Sequence, residues 1–236
     1  MDRDRCRLEF RKAITEDLRW FGLRWDEGPD VPGPFAPYAQ SERLAFYLDA
    51  WRKLRDAGLI YPCVCSRRDI QQSASAPHQE NEEPHYPGTC RPKPGTVSDL
   101  DSPEGRNWRF RVPDGEKLQF DDNRLGAQEA VAGIDFGDFV VWRRDNVPAY
   151  QLAVAVDDAA MQITEVVRGA DLLVSTFRQL LIFRALSLIP PQFYHTELIV
   201  DDSGQRLAKR HASLSLRELR RSGVTPEELR ARDLTI

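Results

Sequence analysis

The chain has 236 residues, with 33 Lys and Arg against 37 Asp and Glu and a formal charge of −4. At 41% hydrophobic and 30% charged residues it is excluded from the globally disordered class, and its length suits one large domain or two small ones with a core that needs no disulfide staples. No apolar run approaches 18 residues, which excludes a helical membrane span, and Met1-Asp2-Arg3-Asp4-Arg5-Cys6 opens no secretory leader, so the expected location is the cytoplasm.

Residues 5–21 read as a helix, with Phe10, Ile14, Leu18 and Phe21 on one face and Gly22 as its stop. Gly28-Pro29-Asp30-Val31-Pro32-Gly33-Pro34 is a turn-rich loop. A second helix is predicted from Ser41, with Leu44, Tyr47, Leu48, Trp51 and Leu54 as its apolar stripe and Gly58 at its end. Cys63-Val64-Cys65 closes a short apolar run, and residues 71–85 read as a flexible polar excursion. Trp108, Phe110 and Val112 alternate with Arg109 and Arg111, and Phe139-Val140-Val141-Trp142 follows; both predict strands.

From residue 149 the pattern turns α/β. Leu152-Ala153-Val154-Ala155-Val156 predicts a strand buried on both faces, and residues 163–167 predict another. Thr176 is expected to cap a helix through Leu188, and Leu198-Ile199-Val200 to form a third strand. Asp201-Asp202-Ser203-Gly204 reads as a turn before the basic loop Arg206-Leu207-Ala208-Lys209-Arg210. Thr225-Pro226-Glu227-Glu228 has the N-cap, the Pro at N1 and the Glu at N3 that open a helix.

Three constellations could carry chemistry. Cys63, Cys65 and Cys90 supply three soft ligands for a tetrahedral zinc, with Tyr86, His85 and His78 open as the fourth. A set of four closed ligands leaves no place for water, so such a site would be structural. Lys209 in the basic loop could clamp nucleotide phosphates, although such a run taken alone is a solvated charge cluster. Tyr150 at a strand start and Arg168 at a strand end could hold a carboxylate where parallel sheets bind ligands. The chain is acidic overall, so a nucleic-acid partner would have to be met by clustered basic residues.

These segments together resemble the catalytic domain of glutamyl-tRNA synthetases. The motifs that carry the resemblance start with Glu16-Asp17-Leu18-Arg19-Trp20-Phe21-Gly22-Leu23-Arg24-Trp25-Asp26-Glu27-Gly28-Pro29 and Tyr38-x-Gln40-Ser41-x-Arg43. They continue in Tyr61-x-Cys63-x-Cys65-Ser66, Tyr86-x-Gly88-Thr89-Cys90-Arg91, Tyr150-Gln151-Leu152-Ala153-Val154, Val156-Asp157-Asp158 and Val167-Arg168-Gly169-Ala170-Asp171-Leu172-Leu173. Arg206-Leu207-Ala208-Lys209-Arg210 resembles the class I "KMSKS" loop, with Ala208 in the place of its Ser and Arg206 in the place of its first Lys. The chain ends soon after this loop, a shape similar to the short paralogues, the glutamyl-Q tRNA(Asp) synthetases.

The resemblance implies an α/β fold: a partial class I Rossmann-type parallel sheet, a zinc-containing insertion and a short C-terminal helical segment. Residues 1–60 would be a remnant of the first half of the nucleotide-binding fold and 61–146 the insertion. Residues 147–212 would be the second half and 213–236 the terminal helices. Structural zinc would sit on Cys63, Cys65, Tyr86 and Cys90, which selects Tyr86 from the three candidates. Glutamate would be bound by Tyr150 and Arg168. ATP, with Mg²⁺, would be bound by Arg206, Leu207, Ala208, Lys209 and Arg210, with Lys209 catalytic. The implied activity is tRNA-independent activation of glutamate and its transfer to queuosine in the anticodon of tRNA(Asp), by a monomer. Arg67, Arg68, Arg143 and Arg144 would meet the anticodon arm. The family's HIGH-bearing opening segment has no counterpart here, and residues 2–5 resemble the tail of its acidic stretch. The chain is therefore expected to start just past that stretch, with Met1 a misread start and weak or absent activation as the consequence. A glutamyl-tRNA synthetase fragment and an inactive RNA-binding relative are the alternatives.

Overall fold

The computed structural model describes residues 7–66, 68–70, 85–198 and 215–231. Two compact units divide the chain, Met1–Tyr38 with Glu197–Ile236, and Ala39–Thr196.

In the first unit, helix α1 spans Leu8–Phe21 and stops at Gly22. Gly22 takes φ 97°, a conformation that costs glycine little, and Leu23 donates its amide back to the Leu18 carbonyl at 3.0 Å. The predicted helix is present, but Phe10 and Ile14 of its stripe are exposed. Helix α5 spans Leu216–Arg221, and its Arg217 reaches α1 by donating to the Ala13 carbonyl at 2.9 Å and to Asp17 at 3.0 Å. Helix α6, Pro226–Ala231, opens with the predicted capping box. Glu228 donates its amide to Thr225 Oγ1 at 3.2 Å, and Thr225 donates its amide to Glu228 Oε2 at 2.7 Å.

The second unit contains, among the described residues, two four-stranded sheets. Helix α2 covers Leu44–Asp56 and buries Tyr47, Trp51 and Leu54 of the predicted stripe together with Ala50, while Leu44 and Leu48 of that stripe are half-buried. The first sheet is built from β1 (Ile60–Cys63), β2 (Asn107–Phe110), β5 (Phe139–Arg143) and β6 (Val147–Pro148), with each neighbouring pair antiparallel. Trp51 meets Trp108 edge-on at 4.8 Å, and Trp142 is buried too, so large aromatic surface anchors this half.

The second sheet has the order β4-β3-β8-β7, with β3 Lys117–Asp122, β4 Gly126–Val131, β7 Glu165–Gly169 and β8 Gln192–Thr196. Strands β7 and β8 run parallel, β8 pairs with β3 in parallel, and β3 pairs with β4 antiparallel. The sheet is therefore mixed, where the sequence suggested a parallel one. Helix α3 (Tyr150–Ala160) precedes β7, and α4 (Leu173–Ala185) lies between β7 and β8.

Three expectations change here. Residues 152–156 are helix, not strand. A continuous apolar run carries no period that separates a two-faced strand from a deeply buried helix, and the alanines at 153, 155, 159 and 160 favour helix. Tyr150 therefore opens a helix rather than a strand. Thr176 is not a cap, because α4 begins at Leu173 and Thr176 is buried within it. The sequence reading named no strand at Gln192–Thr196, where β8 lies directly after Pro190 and Pro191. Leu198 is outside any strand, and residues 199–200 fall outside the described residues. The excursion at 71–84 and the turn at 201–204 also lie outside them.

Candidate functional site

Two constellations stand in the second unit. The first gathers at the end of β1. Cys63, Cys65 and Cys90 bring their sulfurs within 4.8 Å of one another, with Cys65 and Cys90 3.5 Å apart. Zinc with Zn–S bonds of about 2.3 Å spaces tetrahedral sulfurs about 3.8 Å apart, so these three fit the ion. The Tyr86 hydroxyl lies 3.4 Å from Cys63 Sγ and 3.6 Å from Cys65 Sγ, and accepts the Cys90 amide at 2.7 Å. The four predicted ligands thus come together. His85 instead lines a small cavity with Arg109, Gly137 and Arg178, and His78 lies outside the described residues.

The loop carrying Cys90 is anchored through Arg91, whose Nη2 donates to the Val112 carbonyl at 2.5 Å and whose Nε pairs with Asp138 at 3.0 Å. Arg109, on β2, was not singled out by the sequence reading. Its Nε donates to Cys63 Sγ at 3.3 Å, and its Cζ lies 3.9 Å over the Tyr86 ring. Burial pushes the Cys65 thiol and the Tyr86 hydroxyl up. Burial pushes Cys90 up as well, but hydrogen bonds from Tyr86, the Val64 amide and its cysteine neighbours outweigh it and bring the thiol down to about 7.

The second constellation joins α3, β7, β8 and α4. Tyr150, 48% exposed at the start of α3, has its hydroxyl 3.5 Å from Arg168 Nη1 on β7. The structure brings this predicted pair together. Arg168 Nη2 donates to Thr176 Oγ1 at 2.7 Å and Nε donates to His195 Nε2 at 3.2 Å. Burial lowers the Arg168 pKa, with Tyr150 and Asp158 acting against it. Asp158 is pushed up to about 6 by burial, with Arg168 pulling it down and Asp157 pushing it further up.

Helix α3 is held by the motif residues near Gln40. Arg43 Nε meets Asp157 Oδ1 at 2.6 Å, Tyr47 donates to Oδ2 at 2.8 Å, and Gln40 donates to Oδ2 at 3.0 Å. Gln151 ties α3 to α4 through Ser175, and accepts from Gln179, each at 3.0 Å. His195 and Asp122 were missed by the sequence reading, because one His in a short strand and one Asp before a turn carry no periodic signal.

The rest of the predicted set divides. Arg206, Leu207, Ala208, Lys209 and Arg210 lie outside the described residues, as do Arg67 and residues 2–5. Arg68 and Arg144 are exposed, and Arg143 is paired with Asp145 at 2.6 Å.

Residues 1–232 match the family described as tRNA synthetases class I (E and Q), catalytic domain. The chain belongs to this family. It is 47% identical over 226 residues to the glutamyl-Q tRNA(Asp) synthetase of Nitratidesulfovibrio vulgaris, covering 95% of this chain and 69% of that one. It is 48% identical over 231 residues to the glutamyl-Q tRNA(Asp) synthetase of Symbiobacterium thermophilum, covering 96% and 71%. Among solved structures, the glutamate–tRNA synthetase of Elizabethkingia anophelis superimposes with a TM-score of 0.72 at 25% identity, covering 89% of this chain and 44% of that one. The chain thus spans less than half of that solved chain. Members of this class are synthetase-type ligases, and the chain carries their catalytic-domain fold of mixed α/β sheets.

Proposed function

We propose that the protein activates glutamate with ATP, without tRNA, and transfers it to queuosine in the anticodon of tRNA(Asp). The observation that carries the reading is the approach of Tyr150 to Arg168 at 3.5 Å, in a chain 47–48% identical to two glutamyl-Q tRNA(Asp) synthetases. Arg168 holds a carboxylate of glutamate, and the Tyr150 hydroxyl fixes the amino acid beside it. A carboxylate oxygen attacks the α-phosphorus of ATP, the acyl-adenylate forms, and pyrophosphate leaves. No general base is needed because the attacking carboxylate is already ionised. Lys209 offsets the charge on the departing phosphates, and Arg206, Leu207, Ala208 and Arg210 complete the loop around ATP. Mg²⁺, when bound with ATP, shields the same phosphates. A queuosine hydroxyl oxygen then attacks the acyl carbon, the bond from that carbon to the phosphate oxygen breaks, and AMP leaves with that oxygen and takes up the hydroxyl proton.

Zinc would be held by Cys63, Cys65, Tyr86 and Cys90, where it supplies structure rather than reactivity. Residues 61–146 would then form the zinc-containing part that meets the anticodon arm, with Arg67, Arg68, Arg143 and Arg144 on phosphates. The proposed site division is otherwise that of the two halves of the nucleotide-binding fold, 1–60 and 147–212, followed by helices at 213–236. The protein is taken to act as a cytoplasmic monomer.

Glutamate-dependent ATP–pyrophosphate exchange without tRNA tests the reading. It is run on this chain, and weak exchange above background is enough for the test. Exchange that Lys209→Ala abolishes is the expected result. Exchange that appears only when tRNA is added would contradict it and favour a glutamate–tRNA ligase instead. That second reading has its own support: 42% identity to a glutamate–tRNA ligase of Halorhodospira halophila over 230 residues, 48% of that protein.

A further inference from the structure

Three adjacent strands carry one chain of polar side chains, buried at Asp122 and His195 and half-buried at Arg168. Asp122 ends β3, His195 lies in β8, and Arg168 lies in β7 directly across from His195 in the parallel register. The side chains of Asp122 and His195 are 0% exposed. His195 Nδ1 is 2.6 Å from Asp122 Oδ2, and the His195 amide donates to the same carboxylate at 3.2 Å. Asp122 Oδ1 also accepts the amides of Arg124 at 3.1 Å and Leu125 at 2.9 Å.

This arrangement fixes the tautomer of the ring. A carboxylate that already accepts backbone amides can only accept from the ring too, so Nδ1 carries the hydrogen. Nε2 is then a bare acceptor, and it takes the Nε–H of Arg168 at 3.2 Å. Thr176 Oγ1 sits 3.1 Å from the same Nε2 and accepts Arg168 Nη2 at 2.7 Å. One edge of the guanidinium is therefore consumed inside the fold. The Nη1 edge is left facing the exposed Tyr150.

We propose that Asp122 and His195 are positioning residues that hold Arg168 with its Nη1 edge turned to the substrate carboxylate. This rests on the reading of Arg168 as the glutamate-binding residue. Neither positioning residue touches glutamate. A largely buried polar chain of this kind is costly to desolvate, and fixes geometry only while every member is satisfied. Asp122→Asn attacks that point. The two amides on Oδ1 demand an acceptor, so the new NH₂ faces the ring. Nδ1 must then accept, Nε2 gains the hydrogen, and that N–H points at a guanidinium N–H. The same substitution beside a catalytic His gives the wrong tautomer in the serine-protease triad.

The test combines a spectroscopic readout with a binding one. Long-range ¹H–¹⁵N spectra of ¹⁵N-histidine-labelled chain report the His195 tautomer, and titration with L-glutamate reports affinity. The wild type is expected to show the Nδ1-protonated tautomer and saturable glutamate binding. Asp122→Asn is expected to switch the tautomer and to weaken glutamate binding about tenfold or more. His195→Gln, whose amide oxygen can replace Nε2 as acceptor, is expected to stay within about threefold of wild type. His195→Asn, which keeps only the Asp122 side, is expected to fall with Asp122→Asn. The Gln and Asn pair decides the matter if Asp122→Asn fails to fold. An Nε2-protonated wild type, or equal affinities across all variants, overturns the relay alone. A wild type with the expected tautomer and no affinity for glutamate overturns the reading beneath it, and the positioning role falls with that reading.

Discussion

Cys90 donates its amide to the hydroxyl of Tyr86 at 2.7 Å, which puts that hydroxyl against Cys63 Sγ and Cys65 Sγ at 3.4 and 3.6 Å. In the proposed reading that oxygen would be the fourth corner of the zinc site formed with the three cysteine sulfurs. Purified chain is expected to hold about one zinc, and Cys90→Ser to lose most of it by elemental analysis. Arg109 donates to Cys63 and covers the Tyr86 ring, so Arg109→Met is expected to lower zinc affinity about 10–100-fold in chelator competition. Affinities unchanged by both substitutions would place the metal elsewhere.

Arg43 is 1% exposed and meets Asp157, which also accepts from Gln40 and Tyr47. Removing one member leaves a buried charge without its partner. Arg43→Met is expected to destabilise the second unit by about 3–5 kcal/mol in urea unfolding. A loss below about 1 kcal/mol would show that water reaches the pair.

Trp108 is wholly buried against Trp51, and its indole N–H donates to the Pro103 carbonyl at 3.2 Å. Trp108→Ala removes that contact and opens a cavity. The expected cost is about 3–5 kcal/mol, measured as a lower denaturation midpoint.

Asp158 and Asp122 pull pH dependence in opposite directions. Burial raises the Asp158 carboxyl to about 6, above its unfolded value near 4, so its contribution is present below about pH 4 and lost as pH rises through about 6. For Asp122, burial alone would raise the carboxyl, yet the Leu125 amide, the His195 ring and further amides hold it at about 2. Its contribution is present above about pH 4 and lost as pH falls through about 2. Asp158→Asn is therefore expected to gain stability relative to wild type between pH 4 and pH 7. An equal difference at both pH values would refute the shift.

Some of these features are legible in the sequence by two routes. Local rules found the capping box at Thr225 and Glu228 and the stripe of α2, because caps and amphipathic faces are written within a few neighbouring residues. The cysteine spacing and Tyr150 with Arg168 were legible as a pattern of residue types. What stayed hidden depends on strands far apart in the chain. Asp122 and His195 come together beside Arg168 only after β3, β8 and β7 pair, and nothing local announces that pairing. Residues 152–156 failed for the opposite reason, since an apolar run without period suits a strand and a buried helix alike.

The measurement closest to the central claim is calorimetric titration of L-glutamate into this chain, with L-glutamine as the control and Arg168→Ala beside the wild type. Saturable binding of glutamate over glutamine, lost by about tenfold or more in Arg168→Ala, is the predicted result. Equal binding of the two amino acids, or a glutamate affinity that Arg168→Ala leaves unchanged, would contradict it.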